Sequence, residues 1–569
     1  MVLKAVPQDE SILKVKNLSI CFGSTQVLQE LNFDLKKRQT LALVGESGSG
    51  KTLSSRALLR LLPSAATISG GEVWFHSARF GELDLLKAPE VQLRQIRGGE
   101  IGMVFQEPGS ALNPVFRCGE QLMETIRVHQ AMSRRQAREK SLQLLETCRL
   151  KAPKRIFMAY PHQLSGGQKQ RVMIALALAI SPSMIIADEP TTSLDLKVAA
   201  HIVALLRELQ QQMGLSMLFI THDLGLVKKL ADEVVVLRAG KVVEKGSCMQ
   251  VCGQPRQAYT RALLACRPPL FERPHRLLTL SALADQEASQ VSAAQAQSGL
   301  KKATTPAAAG KKLWEVHGLE VRFRQKSGLF PGRKKYVQAV KNVSFDVYEG
   351  SCLGLIGESG SGKTSLARCM LGLIPASAGE IWYKTHRLWQ IDSARQKAIR
   401  QEIQIIFQDP FLSLNPRMPV GKAIEEPMRI HGLVKGREGR RRASLSLLRQ
   451  VGLAESYYHR YPQAFSGGER QRICIARALA LRPRFLVCDE CVSSLDVSTQ
   501  AQILNLLKDL QQQLGLTYLF ISHDLRVVSF MSDSIMVMKE GEIIERGQRE
   551  QILHHPQHPY TRELIEAAQ

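Results

Sequence analysis

The residues best suited to chemistry are a lysine and a hydroxyl placed behind a run of glycines, and the chain carries the arrangement twice. Gly45, Glu46, Ser47, Gly48, Ser49, Gly50, Lys51 and Thr52 fit G-x-x-x-x-G-K-[ST], and Gly357, Glu358, Ser359, Gly360, Ser361, Gly362, Lys363 and Thr364 fit it again. Glycines let backbone N–H groups converge on phosphate oxygens, and the start of a following helix adds a partial positive charge. Lys51 and Lys363 are placed to reach the β- and γ-phosphates of a nucleotide, with the hydroxyls of Thr52 and Thr364 on Mg²⁺. For one such loop a functionless glycine-rich turn is a live reading. Duplication with partners leaves it little room.

Those partners are carboxylates and imidazoles at the ends of apolar runs. Residues 184–187 and 485–488 are short, apolar and strand-like, and each run delivers an Asp-Glu pair to the carboxyl edge of a sheet. Asp188 and Asp489 are expected to hold Mg²⁺ through water, and Glu189 and Glu490 to orient or deprotonate the attacking water. His222 and His523 follow the apolar runs 217–220 and 518–521, from which an imidazole reaches toward a γ-phosphate. A lone histidine there is more often structural; its recurrence in the same series favours function. Ser165, Gly166 and Gly167 open a helix whose buried face is Val172, Ala175, Leu176, Ala179 and Ile180, and Ser466, Gly467 and Gly468 recur in the second copy. A serine hydroxyl and free amides at a helix start form a second anion grip. One domain does not need two. The expectation is therefore a head-to-tail cassette dimer within the chain, with Lys51 facing Ser466 to Gly468 and Lys363 facing Ser165 to Gly167.

Stepping outward from these residues, the chain repeats itself. LALVGESGSGKT returns 312 residues later as LGLIGESGSGKT, and VFQEPGSALNP returns 302 residues later as IFQDPFLSLNP. LSGGQKQR, IIADEP and FITHDL recur with small changes 301 residues later. This predicts a domain at 1–266 and another at 313–569. Between them, 267–312 is rich in Ala, Gln, Ser and Lys and reads as a flexible linker, with the apolar residues near 277–283 a candidate for docking on the first domain.

Composition sets the outer bounds. The 569 residues are 44% apolar and 22% charged, which suits two large globular domains. No apolar run approaches the ~18 residues of a spanning helix, and the first ten residues lack a signal-peptide core. Eleven scattered cysteines suit a reducing compartment. Cys488 and Cys491 have metal or redox spacing, yet without a second pair they read as ordinary buried cysteines. The net charge of +24 favours a polyanionic partner, either nucleic acid or an anionic membrane face, and does not choose between them.

Taken together, LSGGQ, Gln106 and Gln408, Ser193-Leu194-Asp195 and Ser494-Leu495-Asp496, and the two histidines resemble the ABC ATPases over nearly the whole chain outside the linker. The segments QEPGSALNP and QDPFLSLNP narrow the resemblance to the oligopeptide/dipeptide/nickel importer subfamily, as do the terminal HPYTR at 558–562 and its worn form QAYTR at 257–261. The resemblance implies an α/β fold of two tandem P-loop nucleotide-binding domains, each with a RecA-like core, an antiparallel β subdomain and a helical signature subdomain. It implies ATP and Mg²⁺, with Gln106 and Gln408 near the metal and γ-phosphate and Phe22 and Phe323 against adenine, although plain core phenylalanines fit nearly as well. It implies two membrane permeases and a periplasmic binding protein as partners, at the cytoplasmic face of the inner membrane, with uptake of peptides, or failing that of nickel or a metallophore. Two departures stand out. Cys491 replaces the proline that follows Glu189, and no cysteine-rich extension follows either domain, so no iron–sulfur cluster is expected. A tandem protein acting on ribosomes or DNA would suit the charge, but the zinc clusters and charged helical linker expected of one are missing, so no nucleic-acid partner is expected. Leu112 and Leu414, after the glutamines, are expected to line grooves for permease helices; capping of the local core is the alternative.

Overall fold

A computed structural model of the chain describes residues 10–192, 194–280, 310–324 and 336–569. These part into two compact units between Leu264 and Ala265. Ser193 and most of the segment between the copies, 281–309, lie outside the described residues.

In the first unit the strands are β1 (Ser11–Phe22), β2 (Thr25–Lys36), β3 (Thr40–Gly45), β4 (Ala66–Ser77), β5 (Gly81–Asp84), β6 (Ile101–Val104), β7 (Met184–Asp188), β8 (Ser216–Thr221), β9 (Glu233–Arg238) and β10 (Lys241–Ser247). They form an antiparallel sheet of order β2-β1-β4-β5 and a six-stranded sheet of order β10-β9-β3-β8-β7-β6. The second sheet is parallel from β6 to β9, and only β10 runs against it. All six residues of β3 and of β8 are buried. Central parallel strands covered on both faces read as unbroken apolar runs, which is why they were legible without alternation. One core joins the antiparallel sheet to one face of the parallel sheet through Leu41, Leu43, Leu218 and Ile220. The other face, with Ile185, Ala187, Met217 and Phe219, packs on the helices Cys118–His129, Arg134–Thr147 and Gly166–Ala177.

The second unit repeats the plan with β11 (Lys312–Arg324), β12 (Tyr336–Tyr348), β13 (Cys352–Ile356), β14 (Ala378–Tyr383), β15 (His386–Arg387), β16 (Ile403–Ile406), β17 (Phe485–Asp489), β18 (Thr517–Ser522), β19 (Ser534–Lys539) and β20 (Glu542–Gln548). Its sheets run β12-β11-β14-β15 and β16-β17-β18-β13-β19-β20.

Three expectations are corrected. Leu277 does not dock on the first unit. It is 5% exposed against the second, where the buried Asn505 side chain accepts from its N–H at 2.9 Å and donates to its carbonyl at 2.9 Å. Nearby, Ser529 Oγ donates to the Leu270 carbonyl at 2.7 Å, Arg273 Nη2 pairs with Asp533 at 2.9 Å, and Arg276 pairs with Asp509 at 2.8 Å. Second, Leu112 and Leu414 are 1% and 3% exposed and belong to the cores. The exposed apolar residues beside them are Val115 and Phe116 in one unit, and Phe411 and Leu412, the last 88% exposed, in the other. Third, the signature helix ends at Ala177, so Ala179 and Ile180 stay buried just beyond it, where the chain turns through Ser181, in a left-handed conformation, toward β7.

Candidate functional site

Each phosphate loop leaves a buried strand and enters a helix, β3 into Lys51–Leu58 and β13 into Lys363–Met370. Gly50 and Gly362 sit immediately before these helices at φ 98° and 104°, a region that side chains resist. Gly45 and Gly357 are fixed by proximity: a Cβ there would lie 2.3 Å from the Leu237 carbonyl oxygen and 2.2 Å from that of Met538. The lysines fold back over their own loops. Lys51 Nζ donates to the carbonyls of Gly45 at 2.8 Å and Glu46 at 2.7 Å; Lys363 Nζ donates to those of Gly357 at 2.8 Å and Glu358 at 2.9 Å.

The carboxylates arrive from the neighbouring part of the sheet, on β7 and β17. Thr52 Oγ1 donates to Asp188 at 3.1 Å, Ser55 Oγ to its other oxygen at 3.3 Å, and Thr364 Oγ1 to Asp489 at 3.2 Å. Burial pushes both aspartates up from the usual carboxylate range, partly offset by these hydroxyls. A hydroxyl and one carboxylate at hydrogen-bond distance are a donor set suited to Mg²⁺ shared with nucleotide phosphates, not to a cage made by protein alone.

Glu189 and Glu490 gather the remaining groups. Gln106 Nε2 donates to Glu189 Oε2 at 3.0 Å and Gln408 Nε2 to Glu490 Oε2 at 2.8 Å. His222 Nδ1 and His523 Nδ1 each lie 3.5 Å from their glutamate, and each lysine Nζ lies 4.0 Å from it. Burial raises both carboxyls, but the imidazole and the ammonium outweigh it, holding Glu189 down at about 2 and Glu490 below its ordinary value. The imidazoles respond in kind: desolvation lowers them, and the facing carboxylates lift them above their usual range. Both glutamates take left-handed backbone, φ 45° and 48°, a strained choice for such residues, and their N–H groups donate to the strands alongside at Ile220 and Ile521. The structure thus brings together Lys51, Thr52, Gln106, Asp188, Glu189 and His222 in one unit, and Lys363, Thr364, Gln408, Asp489, Glu490 and His523 in the other.

The signature residues behave differently. Ser165 and Ser466 are exposed N-caps whose hydroxyls accept from Gln168 N and Glu469 N at 3.3 Å, so each already serves its own helix. Gly167 and Gly468 are small for packing reasons as well, since a Cβ would lie 2.6 Å from Val198 and 2.3 Å from Thr499. Phe22 is half-buried at the end of β1, and Phe323 is 43% exposed near the end of β11, so neither is a core phenylalanine. Cys488 and Cys491 are buried free thiols, and among the described residues no group of three or more Cys, His, Asp or Glu is placed to hold a metal. Sequence reasoning missed Thr192, whose hydroxyl donates to Glu189 Oε2 at 2.9 Å. In the second unit Ser493 takes its place and donates to the backbone carbonyl of Glu490 at 2.8 Å instead. Both are ordinary turn residues, and only the left-handed glutamate brings such a hydroxyl close.

The ABC transporter family profile matches residues 28–192 and 340–493, and the profile described as the oligopeptide/dipeptide transporter C-terminal region matches 544–569. The chain is 44% identical to the glutathione import ATP-binding protein GsiA of Salmonella paratyphi A, over 98% of this chain and 89% of that protein. It is 43% identical to the same protein from Escherichia coli K12 over the same shares. A solved bacterial ABC transporter cassette matches 42% of this chain and 98% of its own, at 29% identity and a TM-score of 0.37.

Proposed function

The chain belongs to the ABC transporter ATPases, in tandem form with an oligopeptide/dipeptide transporter C-terminal region, and on that premise we propose that it drives import of short peptides of the glutathione class. The observation that carries the chemistry is the twofold convergence of lysine, aspartate, glutamate, glutamine and histidine on one loop edge. Relatives named for glutathione import supply the cargo class.

The residues divide the work as follows. Loop amides and Lys51 or Lys363 bind the phosphates and orient the γ-phosphoryl group. Thr52, Asp188 and Gln106, and likewise Thr364, Asp489 and Gln408, hold Mg²⁺. When bound, the metal neutralises charge that develops on the phosphoryl oxygens. Glu189 and Glu490, kept ionised, accept a hydrogen bond from the attacking water and aim it. His222 and His523, whose protonated form those glutamates favour, donate toward the γ-phosphate. Phe22 and Phe323 present aromatic faces to adenine.

Two anion grips per cassette favour composite sites, Lys51 with Ser466 to Gly468 and Lys363 with Ser165 to Gly167. Disulfide trapping of Ser49→Cys with Gly467→Cys under ATP tests that pairing, and trapping only within a copy would remove it. No described helix is long and apolar enough to cross a membrane. The exposed Val115, Phe116, Phe411 and Leu412 are candidates to receive permease helices, which supports the reading of a peripheral chain on the cytoplasmic face of the inner membrane, working with two permeases and a binding protein. The deciding experiment pairs basal ATPase of the purified chain with uptake of labelled glutathione in cells lacking the gene. Leu412→Asp should remove uptake and spare basal hydrolysis. Restored ATPase without peptide uptake by the wild-type chain would overturn the cargo.

A further inference from the structure

The tail of each cassette reaches its phosphate loop. In the second unit the motif His558-Pro559-Tyr560-Thr561 opens the helix Pro559–Ala568, and hydrogen bonds place His558, Tyr560 and Thr561. Glu545 on β20 accepts from the backbone N–H of Gln557 at 2.8 Å, from that of His558 at 3.1 Å, and from Thr561 Oγ1 at 2.5 Å. His558 Nδ1 accepts from Tyr560 N at 3.1 Å and caps the helix, while Pro559 fills the first helical position, where no N–H is needed. Held in this way, Tyr560 is 2% exposed, with Lys539 Nζ 4.7 Å from its ring centre. Its hydroxyl accepts from the backbone N–H of Glu358 at 3.1 Å. That peptide unit is a perch of the loop lysine, because its own carbonyl, that of Gly357, accepts from Lys363 Nζ at 2.8 Å, and the Glu358 carbonyl of the next unit accepts from the same nitrogen at 2.9 Å. The same helix is tied at its far end. Arg526, on the helix Leu525–Met531 that follows His523, donates through Nε to the Ala568 carbonyl at 2.7 Å.

The first unit has a weaker form of the device. Tyr259 is 5% exposed beneath Arg238, and its hydroxyl meets both the Glu46 backbone and, at 3.4 Å, the Glu46 side chain. Glycine stands at 225, where the second unit has Arg526.

We propose that the terminal helix of the second cassette is a brace on its phosphate loop, with Tyr560 a positioning residue that orients the Gly357–Glu358 peptide so that Lys363 is seated to take phosphate. The proposal deepens the nucleotide-site reading and rests on it. Removing the hydroxyl alone leaves the ring packing and the helix cap in place, so the loss falls on the loop. The test measures equilibrium binding of a fluorescent ATP analogue to the full-length chain carrying Lys51→Ala, so that the second loop reports. Tyr560→Phe should weaken binding about 3- to 10-fold, the range of one lost hydrogen bond, and should raise KM for ATP in the otherwise wild-type chain with kcat nearly unchanged and the unfolding temperature unmoved. Tyr259→Phe in the reciprocal background should do less. Unchanged affinity with Tyr560→Phe, or a loss matched by a fall in unfolding temperature, would overturn the brace. Lys51→Ala with Lys363→Ala should bind no nucleotide; if it still binds, the fault lies in the loop assignment and not in the brace.

Discussion

Lys51 meets its loop carbonyls at 2.8 and 2.7 Å and Lys363 meets its own at 2.8 and 2.9 Å; Thr52 reaches Asp188 at 3.1 Å and Thr364 reaches Asp489 at 3.2 Å. Within a few tenths of an ångström the two cassettes make the same site. They differ immediately around it. Glu189 has the Thr192 hydroxyl and is followed by Pro190, whereas Glu490 lacks that side-chain bond and is followed by Cys491. Further out, Asn505, Ser529 and Arg549 receive the segment 266–280, and the first cassette offers Ala204, Lys228 and Cys248 at the matching positions. The lesson is that reacting geometry tolerates little change, while the shell behind it is free to take on work that only one copy performs.

The largest test of the shared geometry is removal of the base. Glu189→Gln together with Glu490→Gln should lower steady-state ATPase by a factor of at least about 10², the range for a lost general base. Either change alone should leave about half the rate or less. A wild-type rate from one of them would show that the matching bonds do not mean matching roles.

Next in size is the asymmetry of the docked segment. Asn505→Ala strands the Leu277 N–H and carbonyl in a buried place and should cost about 1–3 kcal/mol. In a thermal scan of the full chain, the transition of the second unit should fall by several degrees while that of the first stays put. Equal movement of both transitions would mean the segment supports more than the unit on which it lies.

The same surface gives a pH signature. Burial beside Phe530, with Arg273 nearby, lowers Lys508 from 10.5 to about 8. Because the folded state binds this proton less tightly than the unfolded chain, stability is reduced below pH 8 and recovers as pH rises from about 8 to 10.5. Denaturant melts of the second unit should show that rise, and Lys508→Met should flatten it. Matching slopes in the two proteins would break the account.

The smallest effect is expected at the substituted proline. Cys491→Pro follows a glutamate whose φ of 48° matches the 45° of Glu189 before Pro190, so the ring should be accommodated. ATPase should stay within about twofold, and stability should rise by about 0.4–1 kcal/mol through a stiffer unfolded chain. A large loss of ATPase would show that the cysteine is part of how the second site is built.

Much of this was legible from residue order alone. The loops, the Asp-Glu pairs and the histidines could be placed because each sits at the end of a fully buried parallel strand, and such strands announce themselves as unbroken apolar runs. The pairing of those ends at one sheet edge followed from the fold class. Ser165 and Ser466 were read as helix starts for the right reason, but a capping hydroxyl looks the same in sequence whether it serves its own helix or a ligand as well.

What tertiary structure alone decided concerns partners distant along the chain. Leu112 and Leu414 read as surface because prolines surround them, yet both are buried, Leu112 in the core it shares with the signature helix, while Phe411 and Leu412 are left outside. Leu277 followed the buried amide of Asn505, 228 residues away, and no local pattern encodes that choice. Tyr560 reached Glu358 across 202 residues because Glu545 and a proline-started helix aimed it there. Local order fixes which groups a segment carries and which face they share; the docking of one segment on another depends on shape and buried hydrogen bonds that exist only once both have folded.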